Sequence, residues 1–237
     1  MRYALVTGGS RGIGRAICIE LHRMGYFVLV NYLSREQEAR RTLECIGGEG
    51  ELMPFDVGDA AAVSEALSAW SAAHPDQYIE VLVNNAGIRR DNLMLWMEEG
   101  DWMDVIRTSL DGFYNVTRPL LQPMVLHKFG RIINIASLSG RKGLPGQTNY
   151  SAAKGGLMAA TKALACEIGR KGVTVNAVAP GFIRTDMLEG LDEKELKKTI
   201  PAARFGEPEE VAALVGFLAS EKASYISGEC IGITGGL

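Results

Sequence analysis

Short hydrophobic runs alternate with longer segments of helical periodicity along the chain. The runs are continuously apolar, which is typical of strands buried on both faces of a parallel sheet. The predicted strands are residues 3–7, 27–31, 52–57, 79–84, 131–136, 173–178 and 230–234. Because helices must cover both faces of a parallel sheet, the pattern predicts an α/β fold with about seven parallel strands.

The segments between these runs predict the helices. The clearest one begins at Pro208, with Glu209 and Glu210 in its first turn and apolar residues along one stripe. The others are residues 16–21, 37–46, 59–73, 101–121 and 150–170. No linker, repeat or low-complexity stretch interrupts the alternation, so we predict a single doubly wound domain over residues 1–237.

Composition and charge argue against several classes of protein. A net charge of -3 and a pI of about 5.7 give no basic field for nucleic acid or an anionic membrane. The first residues show no signal-peptide cleavage pattern, and no stretch approaches about 18 apolar residues, so we expect a cytoplasmic protein. The spacing of Cys18, Cys45, Cys166 and Cys230 suits neither a metal knuckle nor a disulfide framework, so no metal site is predicted.

Polar and glycine-rich residues follow five of the predicted strands. They are Gly8 to Gly14, Asp56, Asn85-Ala86-Gly87, Ser137 and Pro180-Gly181. In a doubly wound sheet, ligands bind outside the carboxyl ends of the strands. We therefore expect these five strand ends to form one crevice.

The glycine loop after the first strand has the features of an anion site. Gly8, Gly12 and Gly14 do not follow the G-x-G-x-x-G spacing, but they supply a tight turn and a bare backbone before a helix N-terminus. These features suit a pyrophosphate. Glycines at such a turn can also be simple turn residues.

Tyr150 and Lys154 stand four residues apart in a predicted helix and so share one face. An unperturbed Tyr, with a pKa of about 10, is a poor acid or base at neutral pH. A cation roughly 4 Å away could lower that pKa enough for general acid/base catalysis. The same spacing also occurs by chance on solvated helices.

Several motifs together resemble the short-chain dehydrogenase/reductase superfamily. They are TGGSRGIG at 7–14, NNAG at 84–87, Ser137, Tyr150, Lys154 and PG at 180–181. The chain is most similar to β-ketoacyl-[acyl carrier protein] reductases, through GIRRDNL at 87–93, GRII at 130–133 and APGFIRTDM at 179–187. The resemblance implies an NAD(P)-binding domain of the Rossmann type.

The resemblance also implies the roles of the site residues. Ser137 would hydrogen-bond the substrate carbonyl, Tyr150 would protonate its oxygen, and Lys154 would lower the Tyr150 pKa and hold the nicotinamide ribose. The implied cofactor residues are Gly8, Ser10, Arg11, Gly12, Ile13, Gly14, Asn31, Asp56, Val57, Asn85, Ala86, Gly87, Tyr150, Lys154, Pro180, Gly181, Ile183 and Thr185.

One position departs from the family. Where the family usually has an Asn that holds a water in the proton relay behind the Lys, this chain has Ser109. We include Ser109 among the catalytic candidates, with its part in that relay as the open point.

The end of the second predicted strand bears on the choice of cofactor. NAD enzymes commonly have an acid there that binds the ribose hydroxyls, whereas this chain has Asn31, with Arg11 and Arg35 nearby. Two cations would favour a 2′-phosphate, so we expect NADP(H). Alternatively the two arginines are solvated charges, since Glu36 follows Arg35.

The expected function is NADPH-dependent reduction of a 3-oxoacyl group on acyl carrier protein, in fatty-acid or polyketide-type biosynthesis. Alternatives are an oxidoreductase for a free alcohol of the sugar or steroid type, or a non-catalytic dinucleotide sensor. The resemblance implies a homotetramer, a substrate-covering segment at about 185–204 and a carrier-protein patch at Lys128 and Lys171, next to Arg170.

Overall fold

A single parallel sheet runs through the computed structural model, which describes residues 1–188 and 192–237. The strands are β1 Arg2–Val6, β2 Tyr26–Tyr32, β3 Gly50–Pro54, β4 Ile79–Asn84, β5 Gly130–Ile135, β6 Val173–Pro180 and β7 Cys230–Ile233. Their order is β3-β2-β1-β4-β5-β6-β7, which reverses between β1 and β4. The predicted doubly wound fold is confirmed, and the reversal places a ligand crevice at the carboxyl ends of β1 and β4.

Helices cover both faces of this sheet. They are α1 Gly12–Arg23, α2 Glu36–Cys45, α3 Ala60–Ala73, α4 Glu99–Ile106, α5 Gly112–Leu126, α6 Ser139–Lys142, α7 Thr148–Ile168, α8 Glu193–Thr199 and α9 Pro208–Ala219. Alternate residues of β1 enter different cores, because successive side chains of a strand point to opposite faces. Ala4 and Val6 pack on the face of α1 and α9, and Tyr3 and Leu5 pack on the face of α3 and α5.

Caps at the helix N-termini explain several of the predicted boundaries. Asp59 accepts hydrogen bonds from the backbone N–H groups of Ala61 and Ala62 at 2.9 and 3.1 Å, so α3 begins just beyond it. At α9, Glu207 and Glu210 form a capping box around Pro208. No helix among the described residues has the length and apolar character needed to cross a membrane.

The structure corrects two boundaries. The predicted helix 101–121 is wrong in its extent, since α4 begins at Glu99 and α5 ends at Leu126, with a π-helical segment at Arg107–Asp111 between them. The predicted strand 52–57 is instead Gly50–Pro54. In the described sheet β3 pairs only with β2, and this pairing runs from Val28 opposite Gly50 to Tyr32 opposite Pro54, where β2 ends. Asp56 is therefore free of the sheet and lies at the crevice.

Candidate active site

The five polar clusters predicted from the sequence meet in one crevice with a volume of about 830 Å³. Ser137 and each of the predicted cofactor residues line this crevice. The catalytic candidate that does not line it is Ser109. Convergence follows from the parallel sheet, whose strands all end at the same edge.

The glycine loop joins β1 to α1 and leaves its backbone uncovered. Gly8 and Gly12 have φ angles of +61° and +53°, a backbone conformation that residues with a side chain rarely adopt. At Gly14, an added Cβ would lie 2.2 Å from the Gly8 carbonyl oxygen, so a side chain does not fit there. The amide of Asn85 braces the loop, because its Nδ2 donates to the carbonyls of Thr7 and Gly8 at 2.9 and 3.0 Å. The resulting cradle at the α1 N-terminus fits the pyrophosphate of a dinucleotide.

Ser137 follows β5, and Tyr150 lies in the first turns of α7 beside it. The Ser137 hydroxyl accepts a hydrogen bond from the Ser139 backbone N–H at 3.1 Å. Burial raises the pKa of Tyr150, while hydrogen bonding to Ser137 and the charge of Arg89 oppose that rise. The tyrosine is therefore held as a neutral phenol, the form that donates a proton.

Lys154 lies one helical turn beyond Tyr150 and is buried. Its Nζ donates to the Ile135 carbonyl oxygen at 2.8 Å and lies 5.7 Å from the centroid of the Tyr150 ring. Burial lowers the pKa of Lys154 to about 8. The downward shift of the Tyr150 pKa that we expected from Lys154 is not found: burial raises that pKa, and the influences that oppose the rise come from Ser137 and Arg89.

Ser109 lies in the π-helical segment behind the crevice. It is 4% exposed, and among the described residues its Oγ has no hydrogen-bond partner. Beside it is a separate cavity of about 10 Å³, lined also by Thr7 and Asn84. That volume is close to the minimum for one water molecule, roughly 10–15 Å³.

Two predicted cofactor residues already have partners of their own. Asn31 is buried, and its side chain accepts from Gly8 N at 3.1 Å and donates to the carbonyls of Met53 and Phe55 at 3.0 and 3.1 Å. It therefore ties the glycine loop to β3. Arg11 pairs with Asp186 at 2.6 Å, so the glycine loop is joined to the segment after β6.

A polar chain at the substrate end of the crevice was not predicted from the sequence. Arg89 forms an ion pair with Asp91, Gln147 Nε2 donates to Asp91 Oδ2 at 2.9 Å, and Ser139 Oγ donates to Gln147 Oε1 at 2.8 Å. All four residues line the crevice. Arg89 and Asp91 follow Gly87 closely in the sequence, and Gln147 precedes Tyr150 by three residues. This nearness to two motifs could have indicated that they belong to the site. Ser34, also missed, lines the crevice next to Arg35.

These features fit a nicotinamide dinucleotide. The glycine cradle, which Asn85 braces, suits the pyrophosphate, while buried Lys154 is at the end where the acid/base residues lie. The two arginines, Arg11 and Arg35, line the crevice as well.

The chain is similar over nearly its full length to known proteins. A family model described as enoyl-(acyl carrier protein) reductase matches residues 8–237. The chain is 45% identical to a 3-oxoacyl-[acyl-carrier-protein] reductase, FabG, of Aggregatibacter actinomycetemcomitans, over 98% of each chain. It is also 45% identical to an acetoacetyl-CoA reductase of Rhizobium meliloti, over 99% of this chain and 98% of the other.

A solved structure supports the fold independently. A protein from Agrobacterium tumefaciens, described as a gluconate dehydrogenase, superposes with a TM-score of 0.93 at 31% identity. The match covers 99% of this chain and 94% of that one. On these matches and the motifs above, the chain belongs to the short-chain dehydrogenase/reductase superfamily.

Proposed function

We propose that the protein reduces a 3-oxoacyl group on acyl carrier protein to the 3-hydroxyacyl form, using NADPH. The single observation that carries this proposal is the arrangement of Ser137, Tyr150 and Lys154 at the end of β5, in a crevice that also contains a glycine cradle. Support for the substrate comes from full-length relatives at about 44–45% identity that are named 3-oxoacyl-[acyl-carrier-protein] reductase. We propose that this reaction serves the biosynthesis of fatty acids or related polyketides.

The chemistry follows from the ionisation of the site. A bound nicotinamide would supply the hydride for the carbonyl carbon. Ser137 and Tyr150 would donate hydrogen bonds to the carbonyl oxygen, and Tyr150 would transfer its proton as charge develops there. The raised Tyr150 pKa keeps that proton in place at neutral pH. Lys154, held by the Ile135 carbonyl, would orient the ribose and stabilise the phenolate that remains.

We also propose NADP(H) as the cofactor. Arg11 and Arg35 both line the crevice near the end of β2, and no acidic side chain is present at Asn31, Tyr32, Leu33 or Ser34. Arg11 already binds an anionic group, the carboxylate of Asp186. Guanidinium groups suit a phosphate well.

A second candidate substrate is a 3-oxoacyl group on coenzyme A. The relative from Rhizobium meliloti is named for acetoacetyl-CoA, and its identity to this chain equals that of the carrier-protein enzyme. Both substrates are thioesters, so one crevice could accept either. The structural match to a gluconate dehydrogenase keeps a free sugar alcohol as an alternative.

The proposed cover of the substrate includes residues 185–204. Leu188 and, in α8, Leu196 line the crevice, so this segment contributes apolar side chains to its wall. Residues 189–191 of this segment lie outside the described residues. We propose a cytoplasmic location for the enzyme, in keeping with its free cysteines.

The proposed partners are a carrier protein and further copies of this chain. Lys128 precedes β5 and Lys171 precedes β6, and both are exposed. They lie at the edge of the sheet opposite the crevice, across a strand of 6 residues, which is roughly 20 Å. A carrier protein docked there would therefore need the crevice of a neighbouring subunit.

We propose a homotetramer, packed through α4, α5 and α7. The exposed faces of these helices carry Met103, Tyr114 and several alanines.

The direct test measures NADPH oxidation with one 3-oxoacyl group presented in four ways. The four substrates are the carrier-protein thioester, the coenzyme A thioester, a small-thiol thioester and a free ketone of the same length. We expect the highest kcat/KM on the carrier protein. A preference for coenzyme A would establish the second candidate, and turnover of the free ketone alone would overturn both.

A further inference from the structure

We infer that Arg89 is a specificity-determining residue that binds the second carbonyl oxygen of a 3-oxoacyl thioester. The inference rests on the proposed function. It adds a subsite for the thioester carbonyl, beside the Ser137 and Tyr150 subsite for the carbonyl that is reduced.

The first support is position. Arg89 lies just after the Asn85-Ala86-Gly87 cluster and lines the same crevice as Ser137 and Tyr150. Its side chain is 25% exposed, so it is partly enclosed by that crevice. Arg89 and Tyr150 are also close enough to influence each other electrostatically, since the charge of Arg89 lowers the pKa of Tyr150.

The second support is rigidity. Asp91 accepts from both Nε and Nη2 of Arg89, which fixes the plane of the guanidinium. Asp91 in turn accepts from Gln147, which accepts from the Ser139 hydroxyl. Gln147 precedes α7, so the chain of hydrogen bonds connects Arg89 to the helix that carries Tyr150.

The third support is the chemistry of the substrate. A 3-oxoacyl thioester has two carbonyl groups separated by one methylene, and Ser137 and Tyr150 account for the one that is reduced. The other oxygen enters the same crevice, and an acceptor that leaves water without a donor is costly. A guanidinium has five N–H donors in a fixed plane, so a carbonyl oxygen can accept from it while its other partners stay in place.

The test compares two ligands on the wild type and on Arg89→Ala. The ligands are a 3-oxoacyl thioester of a small thiol and a matched ketone in which a methylene replaces the thioester carbonyl. We expect Arg89→Ala to lower kcat/KM for the thioester by about tenfold to a hundredfold, the range of a charge-assisted hydrogen bond, and for the ketone by less than about threefold. Competitive inhibition by the ketone measures its affinity even where turnover is slow.

Two further variants complete the design. Arg89→Lys, which retains a cation and donors, should recover part of the loss on the thioester. Arg40→Ala removes an exposed arginine that also pairs with a carboxylate, Glu36. It should leave kcat/KM unchanged for both ligands. NADPH binding measured by fluorescence verifies that each variant is folded.

Equal losses on both ligands in Arg89→Ala would overturn the inference, because Arg89 would then act through Tyr150 or through the fold. Failure of the wild-type enzyme to reduce the thioester would refute the proposed function itself. The two failures are therefore distinguishable.

Discussion

Tyr150 and Lys154 are both shifted toward their uncharged forms. Burial raises the pKa of the phenol and lowers the pKa of the ammonium to about 8. The reduction that we propose requires Tyr150 to be neutral, because only a neutral phenol can donate a proton to the carbonyl oxygen. The crevice is therefore prepared for proton donation before any substrate contributes to the electrostatics.

The shift of Lys154 makes a prediction about stability. Its pKa is about 8 in the fold against an ordinary value of 10.5, so between these values the unfolded chain holds more protons and the free energy of unfolding rises with pH. Below this window the full cost of the buried cation remains. The free energy of unfolding of the wild type, minus that of Lys154→Met, should increase by on the order of 3 kcal/mol as the pH rises across this window. Urea denaturation at each pH measures both free energies.

A matched control for this measurement is Lys162→Met, on the exposed face of the same helix. Its unfolding curve should follow the wild type at each pH. A wild-type to Lys154→Met difference that stays flat from neutral to alkaline pH would contradict the lowered pKa.

Arg11 is the residue that tests the choice of cofactor. NADPH should bind more tightly than NADH, and Arg11→Ala should narrow that gap by about 1–3 kcal/mol, the range of a charge-assisted hydrogen bond. Asp186→Asn is the control, because it removes the carboxylate that Arg11 holds at 2.6 Å and leaves the cation. Fluorescence titrations give the affinities. Equal binding of both cofactors by the wild type would refute the assignment.

At the scale of the elements, the π-helical segment Arg107–Asp111 is the main irregularity beside the site. It places Ser109 next to a cavity of about 10 Å³ and leaves its hydroxyl without a partner among the described residues. Such segments within helices are frequent at functional sites. Because the Ser109 hydroxyl makes no hydrogen bond among the described residues, we expect its removal to cost little.

We expect Ser109→Asn to change kcat by less than about tenfold, ~1.4 kcal/mol, and Ser109→Ala to be only slightly worse than wild type. Thr117→Val is a matched control on α5, since it deletes a hydroxyl that accepts from Asn84 Nδ2 at 3.0 Å and should lower the thermal stability. A hundredfold gain in kcat for Ser109→Asn would mean that the natural protein is impaired in its relay. The sensor hypothesis would then return.

The pattern of apolar runs was sufficient to predict the sheet, because parallel strands buried on both faces leave a strong signal. The strand ends then predicted which motifs share a crevice. The π-helical segment was not predictable, since Thr108-Ser109-Leu110 reads as ordinary helix. Partners at long range were equally hidden: nothing local in Arg11 or Asn31 indicates Asp186, 175 residues away, or the Met53 carbonyl.

At the scale of the whole molecule, the proposed carrier patch and the crevice lie at opposite edges of one sheet. Reversing Lys128 and Lys171 to Glu should raise KM for the carrier-bound substrate and leave the small-thiol substrate nearly unchanged, because steering is lost while the crevice is intact. Steady-state kinetics on the two substrates measure this.

The control for the patch is Arg40→Glu with Arg41→Glu, which reverses two exposed charges on α2. Sedimentation should show a tetramer for the wild type and for both reversed variants. A parallel loss on both substrates, or a monomeric wild type at micromolar concentration, would refute docking across subunits.

The most direct test of the central claim, that Tyr150 is the proton donor of a nicotinamide-dependent reductase, is the turnover of Tyr150→Phe. The substitution removes one hydroxyl and leaves the glycine cradle and Lys154 in place. NADPH affinity, measured by fluorescence, should remain close to wild type, while NADPH oxidation with a 3-oxoacyl thioester falls by several orders of magnitude. A variant that retained a tenth of the wild-type rate would contradict the assignment.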